Sequence, residues 1–334
     1  MSLSPKLPDW MEEVGPDLYC IDCDYVQPRL ACVYLMINDA GRAAFLETNT
    51  SRAVSRFLEA LKVLGYSTDD VDWIIPTHVH LDHAGGAGAL LRECSRATVL
   101  AHPRAAKHLI NPDRLIQSSI QVYGQETFEK LYGEIVPCPE SRVRIMADGE
   151  SLHWGNRTLE FLYTRGHANH HFCIYEKTSG VFTGDSFGIA YPDLQSGGPF
   201  LFASSTPTDF DPPAAHESLD RIRNTGTGSV FLTHFGRLDS LEEAGRQLHE
   251  SLQFLTGLYD DARARFKSAE DKAAPELKQS LEEEVRTRIL DSWVDQLLSR
   301  GFPDASAIQE RLGMDAALNA GGIVFAAQRS LKKG

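Results

Sequence analysis

Apolar stretches at residues 30–37 and 43–47 flank the turn-forming run Asn38-Asp39-Ala40-Gly41, a pattern that predicts a β-hairpin. From Thr50 or Ser51, either of which can cap a helix, Val54, Phe57, Leu58, Leu61 and Leu64 recur at helical spacing until Gly65 stops the run. Residues 71–76 then read as a short buried strand, 85–94 as a helix and 98–102 as another strand. Helical periodicity returns between Pro103 and Tyr132, interrupted at Asn111-Pro112.

The second half repeats this plan in outline, with strands predicted at 142–146, 158–164, 172–176, 180–183 and 229–233. After about Leu241 the strand signals stop. Three helices are predicted there, over 241–267, 275–300 and 305–332, broken at 271–275 and at Gly301-Phe302-Pro303. Strand-rich halves that each carry helices predict an α/β fold with helices outside two packed sheets. The expected division is a domain over 1–240 and a helical C-terminal extension over 241–334. Ala316, Ala317, Ala320, Gly321 and Gly322 would let another helix approach closely, and Ile323, Val324 and Phe325 are too apolar to face water. Packing on the chain's own core is the first expectation for this stripe, and a homodimer through the C-terminal helices is the second.

With 334 residues, 42% of them hydrophobic, the chain can bury a sizeable core. A formal net charge of -13 argues against nucleic acid or anionic lipid as a partner and leaves a small molecule as the expected substrate. No apolar run approaches the roughly 20 residues of a membrane span, so no membrane partner is expected. The N-terminal MSLSPKLPDW lacks the apolar stretch of a secretory signal, and the six cysteines form no evident disulfide framework. Both observations lead us to expect a cytoplasmic protein. Cys20 and Cys23 form a CxxC without a second pair, inside a stretch that reads as strand, and are expected to be structural rather than metal-binding.

The segment Thr77-His78-Val79-His80-Leu81-Asp82-His83 places three imidazoles and a carboxylate directly after a predicted strand. These ligand types suit zinc, iron and manganese, and a strand-to-loop junction gives them a rigid base. Gly166-His167, Gly184-Asp185 and Thr233-His234 each follow a further predicted strand. Polar side chains at the ends of neighbouring strands can gather around one point.

The ordered set HxHxDH, GH, GD and TH, spread over about residues 18–237, resembles the metallo-β-lactamase superfamily. The resemblance implies an αββα four-layer sandwich with the site at one edge of the paired sheets. It implies two divalent metal ions, zinc first with iron or manganese also fitting. His78, His80 and His167 would hold one ion, Asp82, His83 and His234 the other, and Asp185 would bridge them. Two positions depart from the family pattern. Glu47-Thr48-Asn49 stands where many members carry Asp-Thr-Gly, so the support behind the ligands is expected to differ. Asn169-His170-His171 follows the later ligand, with His171 expected behind the site or in the core and His170 left open between ligand and neighbour. His102, His108, His153, His216 and His249 are expected to be surface or structural residues.

Two such ions would draw a hydroxide nucleophile from a shared water near neutral pH and polarise the scissile oxygen, with Asp82 or Asp185 taking the proton. The expected enzyme is therefore a binuclear metal-dependent hydrolase of a small ester, thioester or lactone-like molecule. The long stretch 186–213 directly after Asp185 is expected to face the substrate, with Phe187, Tyr191 and Arg237 as candidate contacts and Tyr191 as a candidate acid for the leaving group. Packing of those aromatics against the protein is the competing expectation. An iron-dependent dioxygenase or other redox member is the alternative enzyme, although His80 stands where diiron members usually carry glutamate. A noncatalytic sensor or interaction protein is the third reading, and the complete ligand set counts against it. The C-terminal helices are similar in placement to those of quinolone-signal thioesterase-like members, where they cap the pocket.

Overall fold

The computed structural model describes residues 6–205, 209–269 and 275–331, so the expected helix break at 271–274 and helix end at Lys332 lie outside the described residues. The chain forms two compact units, one of Met1–Tyr163, His170–Gly184 and Asn224–Asp239, the other of Thr164–Asn169, Asp185–Arg223 and Ser240–Gly334. The C-terminal helices thus share a unit with two earlier segments of the chain, rather than standing apart from everything before residue 241.

In the first unit, one sheet takes seven strands in chain order: β1 (Met11–Gly15), β2 (Leu18–Asp22), β3 (Cys32–Ile37), β4 (Ala43–Leu46), β5 (Val71–Ile75), β6 (Thr98–Ala101) and β7 (Val143–Ile145). Pairing is antiparallel from β1 to β4 and parallel from β4 to β7. The other sheet takes six, again in chain order: β8 (Ser151–Trp154), β9 (Arg157–Tyr163), β10 (Phe172–Glu176), β11 (Gly180–Gly184), β12 (Val230–Leu232) and β13 (Gly236–Leu238). Only β11 and β12 run parallel there. The helices of this unit are α1 (Val54–Val63), α2 (Leu81–Ala84), α3 (Ala87–Glu93), α4 (Pro103–Ile110), α5 (Asp113–Tyr123) and α6 (Gln125–Tyr132).

Strand β3 shows how the layers form. Cys32, Tyr34 and Met36 share a core with Phe161, Phe172, Phe182 and Phe231 of the second sheet. Val33, Leu35 and Ile37, on the opposite face, join Phe57, Leu61 and Leu90 of α1 and α3. With both faces covered, all six residues are buried, and the strand is apolar throughout instead of alternating. The Tyr34 ring packs edge-on to Phe182 and Phe231, and its hydroxyl donates to the Leu232 carbonyl at 2.5 Å, which satisfies its polar tip in the core.

Three strands escaped the sequence pattern. β1 buries only its first residue, and β8 and β13 are four and three residues long, too short for periodicity to register. The helical stretch after Pro103 breaks once more than expected, at Gly124, whose φ of 78° separates α5 from α6.

The second unit contains α7 (Pro212–Arg223), α8 (Leu241–Ser268), α9 (Pro275–Ser299) and α10 (Ala305–Ser330). Leu248, Leu252, Leu255 and Leu258 on α8, Leu281, Val285, Ile289 and Trp293 on α9, and Ile308, Leu312, Ala316 and Ala320 on α10 form buried stripes at three- to four-residue spacing. Asp304 caps α10 by accepting from the backbone N–H of Ser306 and Ala307. Ile323 and Val324 are buried in this unit, as are Ala316 and Ala320, whereas Ala317 faces solvent. No helix among the described residues is long and apolar enough to cross a membrane.

Candidate metal centre

In the first unit, β5 delivers the chain to Thr77 and His78, and the single turn of α2 carries Asp82 and His83. The His80 carbonyl opens that turn by accepting from the N–H of His83 and Ala84. The His78 ring lies 4.4 Å from that of His80 and 4.0 Å from that of His83, centroid to centroid. His234, two residues beyond β12, joins them. Its Nε2 is 3.4 Å from Oδ2 of Asp82, and Nε2 of His83 is 3.8 Å from the same oxygen. One donor atom each from Asp82, His83 and His234 lies within 4.8 Å of the others, a spacing that one cation can span.

The hydrogen bonds behind the rings fix which nitrogen faces the centre. Nδ1 of His234 is 2.8 Å from the Leu30 carbonyl, which can only accept, so Nδ1 carries the proton and Nε2 presents its lone pair toward Asp82. Nδ1 of His83 donates in the same way to Oε1 of Glu47 at 3.0 Å. Thr77 gives its hydroxyl proton to that oxygen at 2.6 Å and therefore accepts from Nδ1 of His78 at 3.1 Å. All three imidazoles thus turn Nε2 outward, as ligation requires.

Glu47 organises this backing. Its carboxylate also accepts from the Thr77 N–H at 3.0 Å and the Thr233 hydroxyl at 3.0 Å, so one buried side chain ties the ends of β4, β5 and β12 together. The rest of the turn grips α2 from below: Thr48 donates to the His83 carbonyl through both N–H and hydroxyl, and Asn49 Nδ2 donates to the Asp82 carbonyl. Glu47 and Asn49 both adopt positive φ, 71° and 47°. Asparagine tolerates the left-handed region and so can stand where relatives have glycine. Gly86 packs beneath, where a Cβ would sit 2.4 Å from the Thr48 carbonyl oxygen. The sequence marked Glu47 only as a departure; its role emerges from partners 30 to 186 residues away.

The second unit holds the remaining two expected ligands side by side. Nε2 of His167 is 3.3 Å from Oδ2 of Asp185, and Nδ1 of His167 is 3.3 Å from the Ser204 carbonyl. The same logic leaves Nε2 of His167 as the lone-pair nitrogen, facing the carboxylate. Gly166, at φ 123°, packs on Ala215 of α7 so closely that a Cβ would lie 2.3 Å from its Cα.

The other expected site residues have these surroundings. Phe187 and Tyr191 are buried within the second unit. Tyr191 donates to Oδ1 of Asp315 at 2.9 Å, beneath the Arg311 guanidinium, and burial with the adjacent carboxylate pushes its hydroxyl pKa well up. Phe202 stacks against Trp293 at 4.3 Å. Arg237 is exposed on β13, bonded to Asp239 and to the Val14 carbonyl. His171 is fully buried against the His78 ring, and the His170 ring lies 5.7 Å from that of His80. His102 caps α4, its Nδ1 accepting from the Arg104 N–H. All six cysteines are buried free thiols, Cys20 and Cys23 included.

The sequence profile described as "Metallo-beta-lactamase superfamily" matches residues 29–234, a span that includes all seven expected ligands. A metallo-beta-lactamase fold-containing protein of Sulfurisphaera tokodaii is 28% identical over 213 residues, 63% of this chain and 74% of its own length. An atrochrysone carboxyl ACP thioesterase of Pseudocercospora fijiensis is 24% identical over 255 residues, 73% of this chain and 62% of its own. Among solved structures, an archaeal metallo-beta-lactamase superfamily protein from Sulfolobus tokodaii matches with a TM-score of 0.61 at 20% identity, covering 92% of this chain and 98% of that one. That agreement shows the same fold, two mixed sheets followed by a helical C-terminal region.

Proposed function

For this chain, which belongs to the metallo-beta-lactamase superfamily, we propose hydrolysis of a small ester, thioester or lactone-like substrate at a centre of two divalent metal ions. His78, His80 and His167 would hold one ion and Asp82, His83 and His234 the other, with Asp185 as a further ligand. The observation that carries this reading is the convergence of Asp82, His83 and His234, with each ring held by its Nδ1 so that Nε2 is turned toward the Asp82 carboxylate. The donor set of neutral imidazoles and carboxylates suits zinc first, and iron or manganese. Bound ions supply Lewis acidity and a hydrolytic nucleophile drawn from water at neutral pH.

The chain's own groups do the rest. Asp82 or Asp185 would accept the one proton that the attacking water gives up. Glu47, reached through His83 and Thr77, holds the imidazoles in register. The thioester within the substrate class draws support from the relative named as an acyl carrier protein thioesterase, whose match runs over more of this chain than the family profile does.

Elemental analysis of protein purified without added metal, paired with anaerobic assays on esters, thioesters, lactones and phosphodiesters, tests the proposal. Two metals per chain with oxygen-independent turnover are expected, and His234→Ala should lower the metal content toward one and turnover by about 100-fold or more. One iron per chain with oxygen consumption would instead identify a dioxygenase. Full turnover by His234→Ala would end the proposal.

A further inference from the structure

In the first unit a line of imidazoles leads outward from His80. The His170 ring stands 5.7 Å from that of His80, and the His108 ring of α4 stands 6.4 Å from that of His170, centroid to centroid. Half-buried His108 is where this line meets a group of cations. Arg104 lies one turn earlier on the same face of α4, Lys107 precedes His108 directly, and Arg114 stands in the first turn of α5. All three are exposed.

Several other arginines of this unit are neutralised: Arg42, Arg56, Arg92, Arg144 and Arg237 each meet a carboxylate at 3.5 Å or closer. Among the described residues, Arg104, Lys107 and Arg114 have no carboxylate at ion-pair distance, Asp113 included. Their field reaches His108, whose pKa is held below the ordinary histidine value by burial first and then by Lys107 and Arg114. A local excess of positive charge thus persists near His80 although the whole chain carries a formal -13, and such an excess concentrates anions.

We propose that Lys107, Arg114 and His108, with Arg104 beside them, bind a phosphate on the leaving group, which makes the substrate a thioester of 4′-phosphopantetheine, borne by coenzyme A or by an acyl carrier protein. The inference rests on the thioester reading of the proposed function. Arginine and lysine pair with phosphate directly, and the neutral His108 ring adds an N–H donor. The pantetheine arm puts roughly 15 Å between sulfur and phosphate when extended, at about 3.5 Å for every three bonds along the chain. That reach suits a thioester at His80 whose arm passes over His170 to the cations, whereas a shorter thiol leaves them unpaired.

Acetyl thioesters of pantetheine and of 4′-phosphopantetheine, assayed on the full metal-loaded chain, test the proposal. Wild type should favour the phosphorylated one by about tenfold or more in kcat/KM, a preference that added salt reduces. Lys107→Glu with Arg114→Glu should bring the ratio to one or below with metal content retained, and Lys107→Gln with Arg114→Gln should fall between. Equal use of the two thioesters by wild type, or a preference that survives charge reversal, overturns the proposal. Acetyl-coenzyme A and an acetylated carrier protein distinguish the two bearers of the arm: turnover of either above acetylpantetheine supports the subsite, and of neither overturns it. Saturation-transfer NMR with S-methylpantetheine and its 4′-phosphate needs no turnover, and so separates failure of this inference from failure of the hydrolase reading. Transfer to the phosphate alone, abolished by charge reversal, supports the subsite even in an inactive chain. Equal transfer to both, or transfer to neither, overturns it.

Discussion

Oε1 of Glu47 accepts from Nδ1 of His83 at 3.0 Å, with both side chains buried, so the residue that departs from the family turn is also the one that orients a candidate ligand. Glutamate is one methylene longer than the aspartate of many relatives. The positive φ of Glu47 and Asn49 belongs to the turn that carries this longer side chain beneath His83. Glu47→Gln keeps the size but puts an amide N–H₂ among groups that already donate. Metal affinity should fall by about 10- to 100-fold, measured by competition with a chromophoric chelator. Unchanged affinity would show that the backing of His83 does not govern ligation.

Arg157 and Glu176 form a buried pair between neighbouring strands β9 and β10, 3.5 Å apart, with the arginine also donating to the carbonyls of Pro16 and Ile37. Despite burial, the Thr178 and Ser179 hydroxyls and Arg157 hold the Glu176 carboxyl below its ordinary pKa. Arg157→Ala strands that charge and the Pro16 and Ile37 carbonyls, and should cost about 3–5 kcal/mol in urea unfolding. A loss under about 1 kcal/mol would mean that water replaces the guanidinium there.

His102 stays neutral in the fold because burial and nearby Arg104 push its pKa down to about 4, while it caps α4 as an acceptor. Between pH 6.5 and about 4 the unfolded chain binds a proton at this position that the folded chain refuses. Stability should therefore fall as pH drops through that window, by on the order of 2 kcal/mol after discounting for solvent screening, and this contribution should level off below it. His102→Asn retains a capping oxygen without titrating, so unfolding midpoints measured across the window should show a shallower decline in the variant.

Tyr191→Phe removes the hydrogen bond to Asp315 and leaves a buried carboxylate short of a donor. Its packed position leads us to expect a stability loss of about 1–3 kcal/mol by thermal or urea unfolding. If Tyr191 is instead the acid that serves the leaving group, kcat should fall by about 100-fold or more with little change in stability.

The C-terminal helices were readable residue by residue. α8 and α9 match their expected spans to within one residue at each end, because a repeat such as Leu281, Val285, Ile289 and Trp293 is written locally and needs no distant partner. The ligand types were readable for a similar reason, since each follows a strand whose apolar run is short and bounded. Tyr191 and Phe187 were harder. An aromatic in a long loop has the same local signature whether it faces a substrate or a helix, and the partner of the Tyr191 hydroxyl in the second unit, Asp315, lies 124 positions onward.

Donor chemistry, helical periodicity and the order of the motifs are set by neighbours a few positions apart, so they can be read along the chain. Which nitrogen of each imidazole carries the proton is another matter. The Leu30 carbonyl meets His234 across 204 positions, and the Glu47 carboxylate meets Thr233 across 186. Carbonyl oxygens are alike at every position in a sequence. They acquire a particular partner only when the strands stack, and with that partner they orient the ring.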